Sequence, residues 1–167
     1  MDDPAKGSSE KSPPPQIEPL QVRRILAPTD LSELSGKSVL YAFRLGMALQ
    51  AEIVVLHVHD VFVDPPGGKI DMGMVSSGEI NSWRQQFKRD LDQHLAQLAP
   101  IPDNVVRVLR GSSDPWKEIT NVAEEMKVDL LVVSTHGRSG LEHFLRGSDA
   151  EKILRQAPCP VVVIRSH

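Results

Sequence analysis

The residues best suited to chemistry lie between positions 129 and 148, D-L-L-V-V-S-T-H-G-R-S-G-L-E-H-F-L-R-G-S. An apolar run, Leu130-Leu131-Val132-Val133, gives way to Ser134-Thr135-His136-Gly137, and after nine further residues to Gly147-Ser148. Glycine lets backbone approach a ligand closely, and the unpaired N–H groups of a helix N-terminus attract negative charge. A buried strand, a glycine-bearing loop and a helix start therefore read as a phosphate-binding loop. Gly137, Gly140 and Gly147 supply the close approach. Ser148 can cap the helix and still offer its N–H to phosphate, while Arg138 and Arg146 are candidates for phosphate contacts. Each also has a plainer reading: a connecting loop, a cap, solvated surface charge. His136 reads as a loop-positioning residue rather than a general base. No lysine stands in the glycine loop, and neither an acid–base pair nor an arginine finger is evident, so rapid phosphoryl transfer is not expected.

Two further segments carry polar residues at strand ends. Thr29-Asp30-Leu31-Ser32 follows the run Arg23-Arg24-Ile25-Leu26-Ala27-Pro28. It reads as a turn in which Asp30 with Glu33, or Ser32 alone, caps the next helix, Asp30 also being a candidate ligand. His57 and His59 end the run Ile53–Val58 two residues apart, hence on one face of a strand. Histidine is a common metal ligand, but no Cys, Asp or Glu at ligand spacing accompanies the pair except Asp60, so strand-end packing or a pocket wall is the simpler role. Cys159, between two prolines, reads as structural.

The elements that must position these residues alternate. Strands are expected over 23–28, 53–59, 105–109, 130–133 and 161–164, the first stopped by Pro28 and the third nearest an edge. Helices are expected over about 35–49, with Val39, Leu40, Phe43 and Met47 on its inner side, and over about 78–98, with Ile80, Trp83, Phe87, Leu91, Leu95 and Leu98 recurring at three or four. Asp114-Pro115 reads as an N-cap with proline in the first turn, and Ser148 with Glu151 as a capping box. Gly46 suggests a close backbone contact. Alternation of this kind means a doubly wound α/β fold with a parallel sheet and helices on both faces. Ligands of such sheets bind beyond the C-terminal strand ends, where strand order reverses. Thr29-Asp30, His57 with His59, and 134–137 converge there if the first and fourth strands are neighbours.

At 167 residues, 40% hydrophobic and 25% charged, the chain has the length and composition of a single globular domain. A net charge of −3 gives no reason to expect nucleic acid or an anionic membrane as partner. No apolar run approaches the roughly 20 residues of a membrane span. A lone cysteine fits a reducing compartment, and the start of the chain has no signal-peptide pattern, so the cytoplasm is expected. Residues 1–20, rich in Pro, Ser and charge, read as a disordered tail before a domain of 21–167, and 64–77 as a loop.

From about residue 22 to 164 the chain resembles the universal stress proteins. Ser134-Thr135-His136-Gly137, nine residues, then Gly147-Ser148 is similar to that family's nucleotide signature: glycine, two residues, glycine, nine residues, glycine and a hydroxyl residue. Pro28-Thr29-Asp30 and the A-P-C-P-V-V-V-I ending at Ile164 fit as well. The resemblance implies a five-stranded sheet of order 3-2-1-4-5, a homodimer paired through the last strand, and ATP, ADP or AMP as ligand, with Mg²⁺ as companion. It places Pro28, Thr29 and Asp30 beside the adenosine, and Val55, His57 and Val58 along the base pocket. Val133, Gly137, Gly147 and Ser148 would meet ribose and phosphates, with Ser134, His136, Arg138, Gly140 and Asp149 in the same segment. Ser134 stands where the signature has its first glycine, a substitution costing roughly 1 kcal/mol if the position needs positive φ. Asp149 follows Gly147-Ser148 where the family has an apolar or small residue; its carboxylate suits the helix dipole but repels phosphate if turned inward. Three functions follow: an ATP-binding stress-response protein with little or no hydrolysis, a nucleotidyl-transfer enzyme using the same cleft, or an interaction dimer for an unknown protein partner that binds no nucleotide.

Overall fold

Runs rich in Val, Ile and Leu become neighbouring strands because they are buried on both faces. The computed structural model describes residues 20–59, 77–136 and 149–166. The order is β1 (Arg24–Thr29), α1 (Glu33–Leu49), β2 (Glu52–His59), α2 (Ser77–Leu98), β3 (Val105–Gly111), α3 (Pro115–Glu125), β4 (Leu130–His136), α4 (Asp149–Gln156) and β5 (Val161–Ser166). All four pairings are parallel, and the sheet order is β3-β2-β1-β4-β5, as the resemblance implied. The tail apart from exposed Leu20, and the loop apart from Ser77, lie outside the described residues.

The sheet divides two cores. Ile25, Ala27, Ile53, Val55 and Val132 meet Val39, Ala42 and Phe43 of α1 and Leu91 and Leu95 of α2. Leu26, Val54, Leu56, Leu131 and Val133 meet Ile119, Val122 and Ala123 of α3 and Ile153 of α4. Alternate strand residues therefore serve opposite layers.

Several expectations shift. Pro28 does not stop β1, which runs on to Thr29 in register with β2, Pro28 opposite Leu56. The β1–β4 ladder has registered pairs only at Ile25 and Leu26, so Pro28 lies where one flank has no ladder bond to lose. On α1 the buried side is not Met47, which is 59% exposed, but Ser35, Gly36, Ser38, Val39, Ala42, Phe43 and Gly46. Small residues lie on that side, and the helix backbone comes close to α2 at Gly36 and to β2 at Gly46 in place of side chain. Asp114 sits at the N-cap of α3 without a side-chain cap bond. Its own N–H is instead bonded by Ser112 Oγ at 3.1 Å. β4 extends through Ser134 and Thr135 to His136, because β5 continues beside it to Ser166.

Candidate functional site

β1 and β4 part company above Leu26 and Leu131. β1 pairs with β4 only at Ile25↔Leu130 and Leu26↔Leu131, yet β1 continues to Thr29 and β4 to His136. Strand order reverses at this pair, and the diverging C-terminal ends form the switch-point crevice of a doubly wound sheet. Below it the pair is stapled. Asp129 Oδ2 accepts from the N–H groups of Arg23 at 2.7 Å and Arg24 at 2.9 Å, and Asp129 N–H donates to Arg24 O at 3.0 Å.

The β1–α1 turn forms one wall. Ser32 caps α1, its Oγ accepting from Ser35 N–H at 3.1 Å. Asp30 Oδ1 accepts from Ser32 N–H at 3.0 Å, and Thr29 Oγ1 accepts from Leu31 N–H at 3.0 Å. These bonds hold Leu31 at φ 65, a left-handed conformation uncommon for leucine. Burial alone would raise the Asp30 carboxyl; hydrogen bonding from the Ser32 and Ser35 side chains and from backbone N–H groups outweighs it and keeps the carboxyl below its ordinary range. Asp30 is thus an anchored carboxylate at the mouth of the crevice. Ser32 is the residue that caps α1; Asp30 closes the turn instead.

β2 supplies a second wall. His57 Nδ1 donates to Thr29 O at 2.9 Å, fixing both the ring and the turn. His59 shares its face and stacks on Phe87 of α2, ring centres 4.3 Å apart. Val55 is fully buried two residues below His57, in the α1–α2 layer, while Val58 is half-buried on the opposite face of β2. The sheet thus brings Thr29, Asp30 and His57 together and leaves Val58 in the other layer. Among the described residues no group of three or more His, Cys, Asp or Glu is placed to hold a metal ion.

β4 supplies a third. Val133 faces the α3–α4 layer, and Ser134 is a paired strand residue opposite Ile164. Positive φ among described non-glycine residues occurs at Leu31, Gln50 and Lys127, so Ser134 carries none of the strain a left-handed position would impose. Asp149 opens α4 with Lys152 Nζ 3.5 Å from its carboxylate. Glu151 is nearly buried and accepts from Arg155 Nε at 3.1 Å, one turn on. Gly137, Arg138, Gly140, Arg146, Gly147 and Ser148, and the capping box that includes Ser148, lie outside the described residues. The Cys159 thiol is raised, chiefly by burial and then by the Asp129 carboxylate, consistent with a structural role.

His94 is the residue that sequence reasoning passed over. It stands seven positions after Phe87 and one before Leu95, on the inner side of α2, and beside Gly36. Periodicity would have found it had the apolar filter admitted histidine. His59 Nδ1 and His94 Nε2 are both buried without a hydrogen-bond partner. Burial lowers both rings below the ordinary histidine value of 6.5; His57 pushes both the same way, Arg84 adds to the effect on His59, and Asp30 opposes it at His94. The folded protein therefore binds fewer protons than the unfolded chain just below pH 6.5. Stability is full above that value and is lost as pH falls through the folded values. The melting temperature is expected to be a few degrees lower at about pH 5 than at about pH 7.5, and His59→Gln with His94→Gln should flatten that slope. An unchanged slope in the double variant would remove these rings as its source.

The universal stress protein family model matches residues 21–165. A universal stress protein of Methanothermobacter thermautotrophicus is 32% identical over 148 residues, covering 86% of this chain and 96% of its own length. Universal stress protein MJ0531 of Methanocaldococcus jannaschii is 29% identical over 150 residues, 86% of this chain and 82% of its own. Among solved structures, the universal stress protein UspA from Lactobacillus plantarum superposes with a TM-score of 0.65 at 23% identity, over 88% of this chain and all of its own. A universal stress protein in complex with cAMP gives 0.62 at 19% over 87% and 98%, and one from Archaeoglobus fulgidus in complex with dAMP gives 0.53 at 17% over 87% and 99%. These structures share the fold. With the family model spanning most of the chain and a relative 32% identical along nearly its whole length, the chain belongs to the universal stress protein family.

Proposed function

We propose that this protein binds ATP, with Mg²⁺ as its companion, in the crevice between the diverging ends of β1 and β4, and acts as a stress-response regulator rather than a fast enzyme. The observation that carries the reading is that divergence: the ladder ends at Leu26–Leu131 while both strands run on, with Thr29, Asp30 and His57 held at the opening. In the proposal Asp30 accepts from ribose hydroxyls, Pro28 and Thr29 flank the adenosine, and His57 serves the base side, with Val55 packed beneath it and Val58, whose side chain lies in the other layer, offering only its backbone. Val133, Ser134 and His136 lead into the phosphate loop, where Gly137, Arg138, Gly140, Gly147 and Ser148 take the phosphates. Ser134 as an unstrained strand residue and Asp149 beside Lys152 are compatible with an anion at that loop. Nucleotide complexes of two structural neighbours, with cAMP and with dAMP, lend support from the same fold.

The proposal includes a tail over 1–20 ahead of a domain of 21–167, a cytoplasmic setting, and a homodimer paired through β5. That strand is a sheet edge whose Val161 to Ile164 are half-buried in the single chain, and an unpaired apolar edge suits pairing with a second copy. One sample tests both parts. Light scattering should return the mass of a dimer. Asp30→Ala should weaken ATP about tenfold, the scale of one charge-assisted hydrogen bond, in a protein that still folds but melts a few degrees lower because the Ser32 N–H loses its acceptor. An unchanged affinity removes Asp30 from the site, and a monomer's mass removes the pairing.

A further inference from the structure

A second concavity lies away from the crevice, between α2 and the edge strand β3. It has a volume of about 340 Å³ and is lined by Arg84, Gln85, Lys88, Leu91, Arg107 and Leu109. Leu91 is buried and Leu109 half-buried, so the floor is apolar while the rim is cationic. Arg84 and Lys88 stand at i and i+4 on one face of α2, a like-charge spacing that is unfavourable in a helix. Neither makes an ion pair or hydrogen bond among the described residues, while Arg107 Nε bonds Asp92 Oδ1 at 2.6 Å. Three cations thus meet one carboxylate over leucine side chains, in a chain whose net charge is −3. Local positive potential against an acidic background concentrates anions, and the volume falls within the range of small-molecule sites.

We infer that this groove binds a small organic anion with an apolar body: the anionic head against Arg84 and Lys88, the body on Leu91 and Leu109. Carboxylate and phosphate-monoester heads share that chemistry. The site does not depend on the nucleotide reading, since β3 is separated from β1 by β2.

The full chain would be titrated with 1-anilinonaphthalene-8-sulfonate by fluorescence, with decanoate, decyl phosphate, decanol and ATP as competitors. Saturable one-to-one binding is expected. Decanoate or decyl phosphate should displace the probe, the better of them naming the head group, and neither decanol nor ATP should. Arg84→Gln with Lys88→Gln removes two exposed helix charges and should weaken the probe by about tenfold or more without altering circular dichroism. Raising salt from about 0.05 to about 0.5 M should weaken binding to the wild type more than to the double variant. Equal affinity in the variant, displacement by decanol as effective as by decanoate, or displacement by ATP would overturn the assignment.

Discussion

Replacing Gly46 by alanine is expected to destabilise the fold by about 1–3 kcal/mol, and replacing it by valine should largely prevent folding. In an exposed helix the alanine substitution would gain up to about 1 kcal/mol. Gly46 is buried in the last turn of α1, where a Cβ would lie 2.5 Å from Ile53 Cδ1, closer still to Cγ1, and 3.2 Å from the Ala51 carbonyl oxygen. Ile53 is fully buried in β2 and has no room to retreat. The same glycine carries the turn between the two elements: its carbonyl accepts from Gln50 N–H and from Ala51 N–H at 2.9 Å, with Gln50 left-handed at φ 54. That is the closure of a Schellman turn, so the clash cannot be relieved by sliding the helix without breaking the link to β2. Urea midpoints of Gly46→Ala, Ile53→Ala and the double variant test this. The double variant should be more stable than the sum of the two losses implies, because truncating Ile53 removes both Cγ1 and Cδ1 and makes room for the new methyl. Strict additivity would mean that the two residues do not meet.

Asp129→Ala is the second large effect, expected at about 2–3 kcal/mol. One carboxylate oxygen receives two backbone N–H groups, from Arg23 and Arg24, just where β1 and β4 begin to pair. Alanine leaves both donors to water or to nothing, and loosens the only part of the β1–β4 junction that is closely laddered. Asp129→Asn keeps an acceptor but loses its charge, and should cost about half as much. If alanine and asparagine prove equally mild, solvent already satisfies those two N–H groups in the native state.

Much of this architecture was legible in residue order. Unbroken Val/Ile/Leu runs separated by helical periodicity dictate a parallel sheet, and glycines at matched spacing after the fourth run pointed to the family. Less legible were effects that depend on a neighbour far away in sequence. Pro28 reads as a strand stop; only the early end of the β1–β4 ladder makes it tolerable. Met47 fits an apolar stripe on α1, but α2 at Gly36 and β2 at Gly46 approach so closely that the helix turns small residues inward. Asp30 reads as a cap because its type allows it; the backbone gave the cap to Ser32. His94 keeps the helical period of the apolar stripe but not its residue type, so its place against Gly36 of α1 shows only in the fold.

In the proposed function the β1–β4 crevice holds a nucleotide through the glycine segment that follows β4. Calorimetric titration of the wild type with ATP and Mg²⁺, beside Gly137→Val, tests it most directly. Micromolar binding by the wild type is expected, and its loss in a variant that keeps the wild-type circular dichroism. Absence of ATP binding in folded wild type, or undiminished binding in the variant, would contradict it, and the first of these would favour the nucleotide-free interaction dimer.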